Sequence, residues 1–243
     1  MAALEFAPGL FVRGITPPLR LADYRLVAFD MDSTLINIEC IDEIAAVAGR
    51  GPQVAAITEA AMRGELADFK ASLRARLALL EGVPETALHE VVEQRLRLNP
   101  GVERFVAACR AAGMATLLVS GGFSFFAERV RARLGLDHAR SNVLEIVDGR
   151  LTGRTLDQDW GDLVDGAEKR RTLLELCARL QIEPAQAIAV GDGANDLPMM
   201  AAAGLSIAYH PKPAVQAQAS ASILSGGMDR ALELFGAEPL RTI

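Results

Sequence analysis

The sequence is short of cysteine: Cys40, Cys109 and Cys177 are the only three in 243 residues, far apart and without a C-x-x-C pair. An odd, scattered set argues against a disulfide framework and fits free thiols in a reducing compartment. Each reads as a small buried hydrophobe, including Cys40, which stands beside Glu39 near an acidic motif. Histidine is equally sparse, and His89, His138 and His210 show no metal-ligand spacing. No apolar run approaches the ~20 residues that span a bilayer, and no basic segment leads into an apolar one near the start. There are no repeats and no low-complexity tracts. Positive charge is also in deficit, and a net charge of -6 argues against a general nucleic-acid binder. These absences point to a cytoplasmic protein with neither membrane nor nucleic acid as partner.

What is present is a core. Hydrophobic residues make up 51% and charged residues 23%, at a length that suits one α/β domain with a sizeable insertion or two modest domains. The informative stretch is Arg25-Leu-Val-Ala-Phe-Asp30-Met-Asp32-Ser-Thr-Leu. A near-continuous apolar run reads as a buried parallel strand, and it ends in two acids. In open α/β sheets ligands gather at the carboxyl ends of strands.

Around that strand the chain divides into three expected parts. Residues 1–23 carry Pro8, Gly9, Gly14, Pro17 and Pro18 and read as an irregular arm. Residues 45–97 show three amphipathic helical patterns with no strand between them, a helical cap inserted after the first strand. Residues 24–44 and 98–243 alternate strand and helix. Strands are expected at 26–29, 115–119, 187–190 and 205–208, with a hairpin in 141–156 around Asp148-Gly149. Helices are expected near 102–112, 124–134, 166–180 and 197–203, and from 228 onward. Such alternation predicts a doubly wound, mainly parallel sheet.

Three strand ends then carry polar loops: Asp30 and Asp32, Ser120-Gly121-Gly122, and Gly191-Asp192-Gly-Ala-Asn195-Asp196, while Lys169 opens a helix. Phosphoryl transfer needs this set. A carboxylate can attack phosphorus to form an aspartyl phosphate. Clustered acids attract Mg²⁺, which prefers one or two carboxylates with phosphate oxygen and water. A Ser-Gly-Gly turn offers a hydroxyl and N–H groups to phosphate, and a lysine adds a point charge. The second acid, Asp32, can protonate the leaving alkoxide and later take a proton from water. A calcium loop over 191–196 lacks the acid spacing and terminal glutamate of an EF-hand.

Asp30-x-Asp32-Ser-Thr, the strand ending in Ser120-Gly-Gly, Lys169 and Gly191-Asp-Gly-Ala-Asn-Asp196 resemble the four motifs of the haloacid-dehalogenase-type phosphatases, over roughly residues 25–225. Glu39-Cys-Ile-Asp-Glu, Ala61-Met62-x-Gly64, Ser72-Leu-x-x-Arg76 and Val119-Ser-Gly-Gly-Phe123 resemble the branch that hydrolyses O-phosphoserine. The resemblance implies Asp30 as nucleophile and Asp32 as general acid/base. It implies Mg²⁺ held by Asp30, the main-chain carbonyl of Asp32 and Asp192. Ser120, Gly121 and Lys169 would cradle phosphate, Asn195 would neighbour substrate or water, and Asp196 would support metal or lysine. Glu39 and Arg76 would grip the ammonium and carboxylate of a phosphorylated amino acid, with Met62 and Phe69 as apolar lining. By spacing alone, Met62 and Phe69 read as core of the cap and Arg76 as a solvated helix-face charge.

The spacing from Met62 to Phe69 is one residue longer than that pattern, and the stretch 156–161 is a few residues longer. No regulatory domain is expected within residues 1–23. A monomer or homodimer is expected. Two rival functions share the motifs in part. One is transfer of the phosphoryl group to an alcohol such as homoserine, or hydrolysis of another small phosphomonoester. The other is a receiver-type phospho-aspartate signalling domain, against which stand the helical insertion and the acid two residues beyond Asp30.

Overall fold

A computed structural model describes residues 3–62, 65 and 68–236. The apolar run before Asp30 forms β3 (Leu26–Phe29), in which every residue is buried. It lies at the centre of the sheet because both faces and both edges are covered. On either side run β4 (Ala115–Phe123) and β7 (Ala187–Gly191), parallel to it, with Phe29 opposite Leu118 and Val190. That register places Asp30, Ser120 and Asp192 within two residues of one line across three adjacent strand ends.

The sheet extends from this centre to nine strands among the described residues, in the order β1-β2-β9-β8-β7-β3-β4-β5-β6. β8 (Leu205–Tyr209) and β9 (Ala221–Ile223) continue it in parallel on one side, and β5 (His138–Val147) joins β4 in parallel on the other. Antiparallel strands close both edges: β1 (Leu4–Ala7) with β2 (Leu10–Val12) beside β9, and β6 (Arg150–Leu156) beside β5. Strands are linked by α5 (Val102–Ala111), α6 (Ser124–Leu134), α7 (Gly166–Leu180), α8 (Leu197–Ala202) and α9 (Pro213–Gln216), the doubly wound arrangement expected. In the numbering used here α1 (Cys40–Val47), α2 (Gly51–Met62), α3 (Phe69–Ala78) and α4 (Thr86–Glu90) precede them, all between β3 and β4. No described helix is long and apolar enough to cross a membrane.

Four elements differ from the sequence reading. The segment 1–23 is not wholly irregular, since β1 and β2 extend the sheet and Leu10 is fully buried. Prolines and glycines flank these strands without entering them, and the main chain of β2 pairs with β9. That partner went unread because Ala-Ser-Ile is too short and polar to show a strand period. The 3₁₀ turns over Met228–Phe235 stand where an α-helix was expected.

The hairpin turns at Asp148 and Gly149, both with positive φ (49° and 69°), the geometry that a two-residue turn demands. Its outer strand supports the helical segment. Gly82 donates to the carbonyl of Leu151, Leu151 to Val83 and Glu85 to Gly149, at 2.8–2.9 Å. On the other side of α3, Lys70 and Arg74 both pair with Asp162 in the loop before α7.

Asn142, 1% exposed in β5, ties two loops together. Its amide donates to the carbonyl of Gly121 at 2.7 Å, and its Oδ1 accepts from the N–H of Val164 at 2.8 Å. Removing such a group strands a buried donor, which costs about 1–3 kcal/mol. Asn142→Ala should therefore lower the urea midpoint by a corresponding amount. An unchanged midpoint would mean the cross-link contributes nothing.

Candidate active site

The floor of the site is a buried charge cluster. Lys169, fully buried on α7, places its Nζ 2.6 Å from Asp30 Oδ1 and 2.7 Å from Asp196 Oδ1. Asp165 caps that helix by accepting from the N–H of Glu168 at 2.8 Å, which fixes the start of α7 and so the position of Lys169. Asp30 is held by its own N–H, which donates to Val190 O at 2.9 Å. The second oxygen of Asp196 accepts from the N–H groups of Asp192 (3.1 Å) and Gly193 (2.9 Å). Gly191 must be glycine here, because a Cβ would overlap the Asp196 carboxyl carbon.

Burial and charge together set the titration of this floor. Oxygens of Asp30, Asp192 and Asp196 lie within 4.8 Å of one another, and the Lys169 ammonium pairs with two of the three, Asp30 and Asp196. Burial pushes Asp30 well above the usual carboxylate range, Asp196 and Asp192 push the same way, and Lys169 opposes them. Burial and then Asp196 raise Asp192 to about 6. Burial alone would lower Lys169, but Asp196 and Asp30 outweigh it and raise it. Three carboxyl groups so close together repel one another when ionised and favour a cation among them. Asp196 already spends both oxygens on Lys169 and two N–H groups. Asp30 and Asp192 are therefore the carboxylates fitted to hold a metal, with Thr34 Oγ1 orienting Asp192 from 3.1 Å.

Asp32 sits in the turn Met31–Leu35, where Ser33 takes a φ of 56°. Asn99 clamps that turn by donating to the carbonyls of Thr34 and Ile36, both at 2.9 Å. Burial first, then Glu39, raise Asp32 to about 7, against two lowering hydrogen bonds from Cys40. Cys40 N donates to Asp32 Oδ2 at 2.9 Å and its Sγ donates to Oδ1 at 3.1 Å. Cys40 is buried as expected, but it is a polar partner and not merely a small hydrophobe.

Ser120, Gly121 and Gly122 occupy a break in the pairing of β4 with β5, between Val119 and Phe123. Ser120 Oγ accepts from Gly122 N at 2.9 Å, and its own proton has no acceptor among the described residues. Phe69 covers Gly121 so closely that a Cβ there would stand 2.9 Å from its ring.

These groups share a cleft of about 920 Å³ between the strand ends and the helical segment. Of the residues singled out from the sequence, Asp30, Asp32, Glu39, Phe69, Arg76, Ser120, Gly121, Asp192 and Asn195 line it. Lys169 and Asp196 lie behind the lining, and Met62 ends α2 with its side chain outside the described residues. Glu39 stands at the N-cap of α1 without capping it, and Ser33 Oγ donates to its Oε1 at 2.7 Å instead. Arg76 is not a solvated helix-face charge. Its Nε is buried with no partner, as is Asp42 Oδ1 on the same wall.

Sequence reasoning missed Cys40, Asp42, Thr34, Asn142 and Lys212, the last also lining the cleft. Thr34 lay inside a quoted motif and Asp42 one turn from Glu39, so proximity could have raised both. Nothing local marks Asn142, whose partners are 21 and 22 residues away.

Comparison with known proteins identifies the family. The model of the haloacid dehalogenase-like hydrolases matches residues 24–204. A phosphoserine phosphatase of Albidiferax ferrireducens is 64% identical over 235 residues, covering 97% of this chain and 99% of its own. The crystal structure of a probable phosphoserine phosphatase from Vibrio cholerae superposes with a TM-score of 0.78 at 45% identity, over 89% of this chain. This chain spans 65% of that one's length. A phospho-aspartyl intermediate analogue of phosphoserine phosphatase also gives 0.78, at 35% identity over 86% of this chain and 98% of its own. A chain that carries the buried Asp30–Lys169–Asp196 floor and matches this family over most of its length belongs to the haloacid dehalogenase-like hydrolases.

Proposed function

We propose that this protein hydrolyses O-phosphoserine to serine and phosphate, the closing step of serine synthesis, through an aspartyl-phosphate intermediate and with Mg²⁺. The observation that carries the reading is the pairing of two features across one cleft. Asp30 stands on a buried lysine at the floor, and an unpartnered Arg76 Nε stands on the wall. Relatives and structural neighbours named phosphoserine phosphatase support it. We read residues 24–44 and 98–243 as the catalytic core, 45–97 as the cap, and the protein as a cytoplasmic monomer or homodimer.

In this reading an oxygen of Asp30 attacks phosphorus while the ester P–O bond breaks. Lys169 orients Asp30 and meets the phosphoryl oxygens, with the free Ser120 proton and the Gly121 N–H as further donors. Asp32, raised to about 7 by burial and Glu39, gives its proton to the leaving serine oxygen. Water then attacks the phosphorus of the aspartyl phosphate, passing a proton to Asp32, and Asp30 is regenerated as phosphate leaves. Asp30, Asp192 and the carbonyl of Asp32 would hold Mg²⁺, which when bound neutralises charge on the transferring group. Arg76 receives the substrate carboxylate as a fork and Glu39 its ammonium. Phe69 excludes water from above, and Asn195 neighbours the substrate.

Three outcomes follow. Asp30→Asn should form no phosphoenzyme, and Asp32→Asn should slow both its formation and its breakdown by roughly 10²–10⁴-fold. Rapid-quench measurement with labelled phosphoserine reads both steps, and an Asp32→Asn variant with wild-type rates would remove that residue from its role. Chelation should abolish turnover and Mg²⁺ restore it; activity that persists in chelator overturns the metal-dependent mechanism. Arg76→Lys should raise KM for phosphoserine roughly tenfold or more, since a point charge cannot replace the fork. A phosphorylated sugar preferred over phosphoserine would refute the substrate while leaving the chemistry intact.

A further inference from the structure

The acid/base carboxyl must keep one orientation through two proton transfers of opposite direction. Asp32 is not held by any lysine or arginine within ion-pair distance among the described residues. Instead one residue, Cys40, reaches both of its oxygens, the main-chain N–H to Oδ2 at 2.9 Å and the thiol to Oδ1 at 3.1 Å. Cys40 is the first residue of α1, so its N–H is one of those a helix leaves without an internal partner. It is fully buried, and its side chain cannot turn away into water. Each carboxyl oxygen keeps a second lone pair free for the proton in transit.

We propose that Cys40 is a positioning residue for the proton-transfer steps: its thiol and N–H grip the Asp32 carboxyl at both oxygens and fix its plane toward the cleft. The N–H alone would leave the carboxyl free to rotate about a single hydrogen bond. The thiol supplies the second point and sets the plane. It does so as a donor to whichever form Asp32 takes, since the thiol proton is not itself transferred. The inference rests on Asp32 being the proton carrier.

The test compares Cys40→Ala, which keeps the N–H and loses the second grip, with Cys40→Ser, which keeps a donor. With phosphoserine and Mg²⁺, Cys40→Ala should lower kcat about tenfold, in line with the loss of one hydrogen bond to a charged group. Its KM should stay within about twofold, because Glu39 and Arg76 do not touch the thiol, and Cys40→Ser should recover most of kcat. In an Asp32→Asn background the Ala substitution should change little further, because contacting residues couple while a general distortion adds. Three results would overturn the proposal: kcat unchanged in Cys40→Ala, an equal loss added to Asp32→Asn, or a loss that falls on KM. Melting temperatures of all variants identify an unfolded one, and if Cys40→Ala is unfolded, the Cys40→Ser and Cys40→Val pair replaces it. If Asp32→Asn itself retains full rate, the fault lies with the role of Asp32 and not with its positioning.

Discussion

The rest of the site depends on an ammonium group with no access to water. Lys169 is buried between Asp30 and Asp196, and breaking such a pair by removing one partner costs about 3–5 kcal/mol because a buried charge is left alone. Its position requires the capped start of α7, the bare Cα of Gly191 and the two N–H groups that hold the far side of Asp196. The three strand ends meet because β3 pairs in register with both neighbours, and the lysine joins what the register brings together. The mutual repulsion of the three clustered acids is what a bound cation would relieve.

Above this floor the helical segment is tethered at two places of different character. The hairpin of β5 and β6 grips the chain around residues 82–85 by main-chain hydrogen bonds. At α3, Lys70 and Arg74 grip Asp162 by charge, with partly exposed side chains that salt can screen. Phe69, the residue before Lys70, lies over Gly121, so the attachment at Asp162 bears directly on its contact with that loop. The extra residue between Met62 and Phe69 does not displace the ring from the cleft that the family pattern leads one to expect.

The central strands and the hairpin turn were legible because local signals and tertiary placement agree there: apolar runs and a turn dipeptide each act at short range. The acids were legible because they end an apolar strand. β1, β2 and β9 were not, since each is only three or four residues long and is fixed by pairing with its neighbours and not by a period of its own. Cys40 shows a subtler limit. Its burial was readable from residue type, but its partner lies eight residues back across a turn that Ser33 makes at positive φ. Arg76 shows the converse, for its spacing gives a solvated charge, whereas in the fold it lines the cleft with its Nε buried.

The place of Arg76 on the wall, away from the ion pairs of the floor, means that the two parts of the cleft are constrained to different degrees. Lys169, Asp196 and Gly191 constrain one another, so a change at any of them strands a charge or forces an overlap, and the set can drift only together. Arg76 acts on the charge of Asp42 on the same wall but takes no part in the ion pairs of the floor. A single substitution on the cleft wall can therefore be accommodated without disturbing the floor beneath it.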